Sequence, residues 1–148
     1  MVKQLDENNA GPDHVGIRLW GAYEAWKAEF VSAMVEAGHA WFTPSRATLL
    51  GFVPRTGLRQ SDLIARMGIS KQAVQQLVDG LEGEGVLERI ADPDDKRGRI
   101  LRHTEKGRAA LDDADRIKAE IETRYRARLG EERFRLLVEA LGEVRRGG

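Results

Sequence analysis

Apolar side chains recur at steps of three and four through most of this chain, the spacing of helices with one buried face. Leu19, Tyr23, Trp26, Phe30 and Met34 form such a stripe and predict a helix over residues 14–38, with Gly38 suited to its end. Thr43-Pro44 reads as a cap followed by proline at the first helical position, opening a second helix that runs to about Phe52. Pro54 and Gly57 then break the chain. A short helix from Gln60 to Met67 turns Leu63, Ile64 and Met67 inward, and Gly68-Ile69-Ser70 makes a turn. Ser70 caps the next helix, Lys71 to about Glu84, whose buried face is Val74, Leu77, Val78 and Leu81. Gly80 and Gly83 each cost that helix about 1 kcal/mol relative to alanine, so its last turns are expected to be soft.

Val86 to Ile90 favours strand, Ala91 to Gly98 is dense in turn residues, and Arg99 to His103 reads as the return strand. Together they predict one hairpin with a charged tip, expected to be the only sheet. Thr104 caps a long helix with Leu111, Ala114, Ile117, Ile121, Tyr125 and Leu129 along one side, and Gly130 breaks it. Glu131 and Glu132 open a last helix and Arg145 and Arg146 close it, signs that suit the macrodipole. Its apolar face is Phe134, Leu137, Val138, Leu141 and Val144. The fold class is mainly α, with a single domain over residues 1–148.

Length and composition narrow the class. A chain of 148 residues with 41% apolar residues can bury a core without staples. It has no cysteine, which excludes disulfides, thiolate nucleophiles and Fe–S clusters. No apolar run approaches the ~18–20 residues of a bilayer span, and Met1 to Gly11 lacks a signal-peptide core, so a cytoplasmic protein with no membrane partner is expected. The 24 basic and 24 acidic residues cancel, but unevenly along the chain. Asp79 to Asp95 holds seven acids and one base, Arg89; Lys96 to Arg108 holds six bases and one acid. A neutral total is compatible with one basic face.

The chemistry is carried by Gln60 to Leu81. Two helices joined by Gly68-Ile69-Ser70 have helix–turn–helix spacing, which offers the outer face of the second helix to a major groove. That face carries Ser70, Lys71, Gln72, Gln75 and Gln76. Glutamine can pair bidentately with adenine, and lysine with guanine or phosphate. The competing reading is a helical hairpin with a solvated polar face. Asp95-Lys96-Arg97-Gly98-Arg99 then places three bases at a tight turn directly after the helix pair. Arginine on a projecting loop can enter a narrow minor groove, and Asp95 can orient Arg97 by a charged hydrogen bond. A helix–turn–helix followed at once by a basic-tipped hairpin is a winged helix. Ser70, Gln72, Gln75 and Gln76 are expected to read bases, Lys71 and Arg99 to meet phosphate, and Arg97 to enter the minor groove.

Leu58 to Leu111 resembles the winged-helix core of MarR-type transcriptional regulators, most specifically in GISKQAV, LVDGLEGEGVLER, DPDDKRGR and HTEKG. The resemblance implies a homodimer held by helices at 14–38 and 104–146, with a DNA-binding lobe at 43–103. It implies binding to a pseudo-palindromic operator, usually as a repressor, and release by a small, often phenolic, ligand between the lobes. Position by position, Ser70, Lys71, Gln72, Gln75 and Gln76 fall on the recognition helix, Arg97 on the wing arginine and Asp95 on its acidic partner. Ile64 departs from the pattern where a small residue is common, and Gln76 and Gly80 where relatives often carry bases. The missing cysteine excludes the peroxide-sensing mechanism of one subgroup.

Trp20, Tyr23, Trp26, Trp41 and Phe42 fall in the first third of the chain and suggest an aromatic effector pocket, with His39 or Arg46 to meet an anion. Ordinary core packing is the competing reading. His14, His39 and His103 lack paired metal-ligand spacing, so neither metal nor cofactor is expected. The chain has no P-loop, Gly-x-Gly-x-x-Gly, HExxH or GxSxG motif, and the adjacent acids Asp94-Asp95 and Asp112-Asp113 do not form an acid–base pair. The reading is therefore a DNA-binding regulator, not an enzyme. A winged-helix protein–protein scaffold, using the acids of Asp79 to Glu88, is the alternative.

Overall fold

Three side-chain caps punctuate the chain. Thr43 accepts the Arg46 N–H, Ser70 the Ala73 N–H and Thr104 the Gly107 N–H, each opening a helix. The computed structural model describes residues 13–147; the polar Met1–Gly11 stretch lies outside the described residues. The elements run α1 (Val15–Glu36), α2 (Pro44–Phe52), β1 (Leu58–Arg59), α3 (Gln60–Met67), α4 (Lys71–Gly83), β2 (Leu87–Asp92), β3 (Asp95–His103), α5 (Glu105–Leu129) and α6 (Glu131–Arg146).

The core gathers the C-terminal half of α1, helices α2 to α4, the sheet and the middle of α5. Met34, Leu49, Leu63, Val74, Val78, Leu81, Leu101 and Ile121 are all fully buried in it. Ile64 is half-buried against the same cluster. Gly80 has a packing reason: a Cβ there would lie 2.6 Å from Arg46 Nη2, so the helix gives up propensity to let that arginine lie across it.

Three expectations change. The sheet has three strands in the order β1-β3-β2, since Leu58 and Arg59 pair with Leu101 and Ile100. A two-residue strand carries no periodicity, so only its partner reveals it. The hairpin arms are longer than expected, and the turn shrinks to Pro93 and Asp94. Finally, the apolar stripes of the outer helices are only partly buried. On α1, Phe30 and Met34 enter the core, whereas Leu19 and Tyr23 stay exposed. On α6 only Phe134 is buried, and Leu137, Val138, Leu141 and Val144 face solvent.

Candidate nucleic-acid interface

Helix α3, its turn and α4 make a helix–turn–helix. Gly68 holds φ at 66°, a left-handed value open to glycine without a Cβ penalty. Val74, Val78 and Leu81 are fully buried, which fixes the rotation of α4. Lys71, Gln72 and Gln76 are therefore exposed, with Gln75 half-buried toward the wing. Ser70 is exposed too, but its Oγ accepts the Ala73 N–H at 3.1 Å and is committed to the cap.

The wing is built around a buried acid. Asp92 pairs with Asp95 across the turn, and the ladder resumes only at Ala91 and Arg99. Lys96, Arg97 and Gly98 thus bulge from β3 without partners on β2. The Asp92 side chain is 2% exposed and lies 2.9 Å from Arg59 Nε. Its Oδ1 accepts the Asp94 N–H at 2.9 Å. Asp95 Oδ1 accepts the backbone N–H of Arg97 at 3.0 Å, so Asp95 orients Arg97 through its main chain and not through the guanidinium. Arg99 Nη1 donates to the Gly98 carbonyl at 3.1 Å.

Between α4 and the wing lies an open groove of about 460 Å3, edged by Lys71, Gln75, Arg97 and Arg99 and floored by Arg59 and Asp92. Its cations divide into two kinds. Arg59 is held by a carboxylate, as are Arg89 and Arg102 on the strands outside the groove lining. Lys71, Arg97 and Arg99, toward the rim, form no ion pair among the described residues. Arg89 is the busiest: it reaches Asp79 at 2.7 Å, Glu82 at 3.2 Å and Gln60 Oε1 at 3.0 Å. It thereby ties the wing to both helices of the pair and balances acids that the sequence left bare. Glu88 is held by Arg102 at 2.6 Å. Arg59 and Arg89 were missed in the sequence. A lone base in an acidic run was a usable signal for Arg89; for Arg59 there was none.

The aromatic cluster does not assemble into the expected pocket. Trp20 and Tyr23 are exposed on α1, 68% and 48%, away from the cavity. His39 Nε2 is 2.7 Å from Asp113 Oδ2 on α5, and this hydrogen bond holds the Asp113 carboxyl below its usual range. Arg46 donates to the Trp41 carbonyl at 2.9 Å and lies 3.8 Å from Glu84. Of the five, Trp41 and Phe42 line the internal cavity, with Phe30, Met34, His103 and Lys118. That cavity is about 70 Å3, well below the ~150 Å3 that accepts a benzene ring. The buried Trp41 indole N–H has no acceptor among the described residues. Among the described residues no group of three His, Asp or Glu side chains could hold a metal, and no helix is long and apolar enough to cross a membrane.

A helix–turn–helix followed by a basic hairpin, set among long helices, defines a winged helix-turn-helix protein. Residues 42–98 match the model of the MarR family. An uncharacterized HTH-type transcriptional regulator, YdgJ of Bacillus subtilis (strain 168), is 30% identical over 88 residues, 60% of this chain and 54% of YdgJ. The chain thus matches about half the length of that relative. The crystal structure of wild type MarR from E. coli, in its apo form, shares the fold at a TM-score of 0.75 and 16% identity, over 91% of this chain and 98% of that one. Transcriptional regulator PA4135 does so at 0.72 and 22%, over 90% and 97%.

Proposed function

We propose that this protein is a sequence-specific DNA-binding transcriptional regulator that acts as a homodimer on a pseudo-palindromic operator. The observation that carries this reading is the groove between α4 and the wing, whose rim cations Lys71, Arg97 and Arg99 form no ion pair among the described residues. Gln72, Gln75 and Gln76 read base edges in the major groove, with Ser70 at the helix start. Lys71 and Arg99 contact phosphate, Arg97 enters the minor groove, and Asp95 shapes the loop that carries it. The scaffold alternative loses its main support, because the acids at 79, 82 and 88 are engaged by Arg89 and Arg102.

Dimerisation through residues 14–38 and 104–146 is supported by apolar side chains left exposed on α1 and α6. Val15, Ile17 and Trp20 on one helix, and Val138, Leu141 and Val144 on the other, need a second surface. Two copies would set their recognition helices about one turn of DNA apart, on the order of 10 bp. Repression follows by occlusion of the operator. Release by a small aromatic or anionic ligand belongs to the cavity beneath Trp41, with Lys118 as the cation beside it, and requires that cavity to widen.

The test is selection from random duplex DNA at moderate salt. An inverted repeat with half-sites about one turn apart is expected. Failure to enrich any sequence, with the protein folded and dimeric by light scattering and again after refolding to strip any bound effector, overturns the proposal.

A further inference from the structure

The carboxylate of Asp92 is among the most buried charges in the chain, at 2% exposed, and it sits at the tip of the hairpin, where solvent is normally close. A buried carboxylate is costly unless it is paired and hydrogen-bonded. Asp92 meets both needs from two directions. Its Oδ1 receives the Asp94 N–H and so folds the turn. Its Oδ2 lies 2.9 Å from Arg59 Nε, the one cation paired with it among the described residues.

Arg59 comes from β1, on the far side of the sheet from β2. Its guanidinium crosses the central strand to reach Asp92, and its Nη2 lies 3.5 Å from Asp94. The residue after Arg59 begins α3, the first helix of the helix–turn–helix. On the other side of the carboxylate stands the bulge. A Cβ on Gly98 would lie 3.3 Å from Asp92 Cβ and 3.4 Å from its Oδ2, so Gly98 packs directly on the buried acid. An unbroken line of contacts thus runs from the start of α3 through Arg59 and Asp92 to the loop carrying Arg97.

We infer that Arg59 is a positioning residue: by holding the buried Asp92 carboxylate it fixes where Arg97 stands relative to the recognition helix. The inference rests on the DNA-binding reading above. Its physical core is that removing either partner frees the bulge. Without Arg59 the buried carboxylate must find water, which opens the turn. Without the charge on Asp92, Arg59 has nothing to hold. A half-exposed arginine in a basic groove has one other role open to it, a direct phosphate contact, and the two roles predict opposite behaviour for Asp92.

The experiment uses the full chain with Arg59→Ala, Arg59→Lys and Asp92→Asn. Two readouts are taken: tryptic cleavage after Lys96 and Arg97, which needs no DNA, and titration with the selected duplex. Arg59→Ala and Asp92→Asn should each speed wing cleavage and weaken specific binding by roughly tenfold, the scale of one lost charged hydrogen bond. Arg59→Lys should recover much of both. In either loosened background, Arg97→Ala should cost far less than in wild type, because the arginine is already misplaced. Asp92→Asn that keeps its cleavage rate and binds DNA as well as wild type, or better, overturns the inference and leaves Arg59 as a phosphate contact. Should Arg59→Ala not fold, Asp92→Asn and Arg59→Lys still decide the matter. A wild-type protein that enriches no duplex would sink the DNA-binding reading, while the cleavage contrast would still show whether Arg59 holds the wing.

Discussion

Gly107→Ala should destabilise this protein far more than a surface glycine substitution would. Gly107 is the third residue of α5 and is buried against the turn that leads into β2. Its N–H donates to Thr104 Oγ1 at 3.0 Å, and that hydroxyl donates to the Gly85 carbonyl at 2.6 Å. The Thr104 N–H donates in turn to the Val86 carbonyl at 3.2 Å. A Cβ on residue 107 would overlap the Val86 carbonyl oxygen, so α5 and the turn must part by roughly an ångström. Overpacking of this kind costs about 1–3 kcal/mol. Parting also strains the two bonds from Thr104 to the turn, at about 1 kcal/mol each. The total is about 4 kcal/mol, which for a chain of this size lowers the melting temperature by about 10 °C. Thermal unfolding followed by circular dichroism, at one fixed protein concentration, measures it. Gly83→Ala, in the exposed last turn of α4, where an added Cβ meets nothing within 4 Å among the described residues, is the control. A Gly107→Ala melt within about 2 °C of wild type would refute the close packing of α5 on the wing base.

Arg97→Ala should weaken binding to most duplexes by about tenfold and lower the salt slope by about one unit, with the largest loss at sites flanked by A·T pairs; equal affinity in a titration removes the wing from the mechanism. Gln72→Ala should relax preference at one operator position by about 1–3 kcal/mol, and a selected consensus identical to wild type would mean that α4 sits in the groove in another register. His103 is buried, and desolvation, with Arg55 and Arg108 nearby, holds its pKa below the ordinary 6.5 despite the hydrogen bond to the Val53 carbonyl. Its neutral form is favoured in the folded chain, so it costs no stability above pH 6.5, and stability falls as the pH drops from 6.5 toward the lowered value. Urea titrations on either side of pH 6.5 check the sign, and a His103→Gln protein should lose that part of the slope.

Arg89 shows why surface charge counts mislead. The run from Asp79 to Asp95 carries six more acids than bases, which suggested a docking face for a protein. In the folded chain one guanidinium reaches Asp79, Glu82 and Gln60 together. Asp79 and Glu82 thereby tie the wing to the helix pair. Among the described residues, the groove's cations without an ion pair are Lys71, Arg97 and Arg99.

The helices, their caps and the face of α4 could be read from residues alone, because each depends on contacts within a few positions. Thr43, Ser70 and Thr104 cap the helices that follow them whatever those helices pack against. The period of Val74, Val78 and Leu81 sets which glutamines stay outside. Contacts between distant segments obey no such spacing. Strand β1 exists only because β3 passes beside it, and Arg59 gains a role only because the sheet brings it across to Asp92, thirty-three positions away. His39 and Arg46 were free to meet an anion in the sequence; Asp113, the Trp41 carbonyl and Glu84 claim them in the fold. The apolar stripes of α1 and α6 mark a third level. Their periodicity was legible, but the described residues bury only Phe30, Met34 and Phe134 from them, because periodicity marks an apolar face and not what covers it.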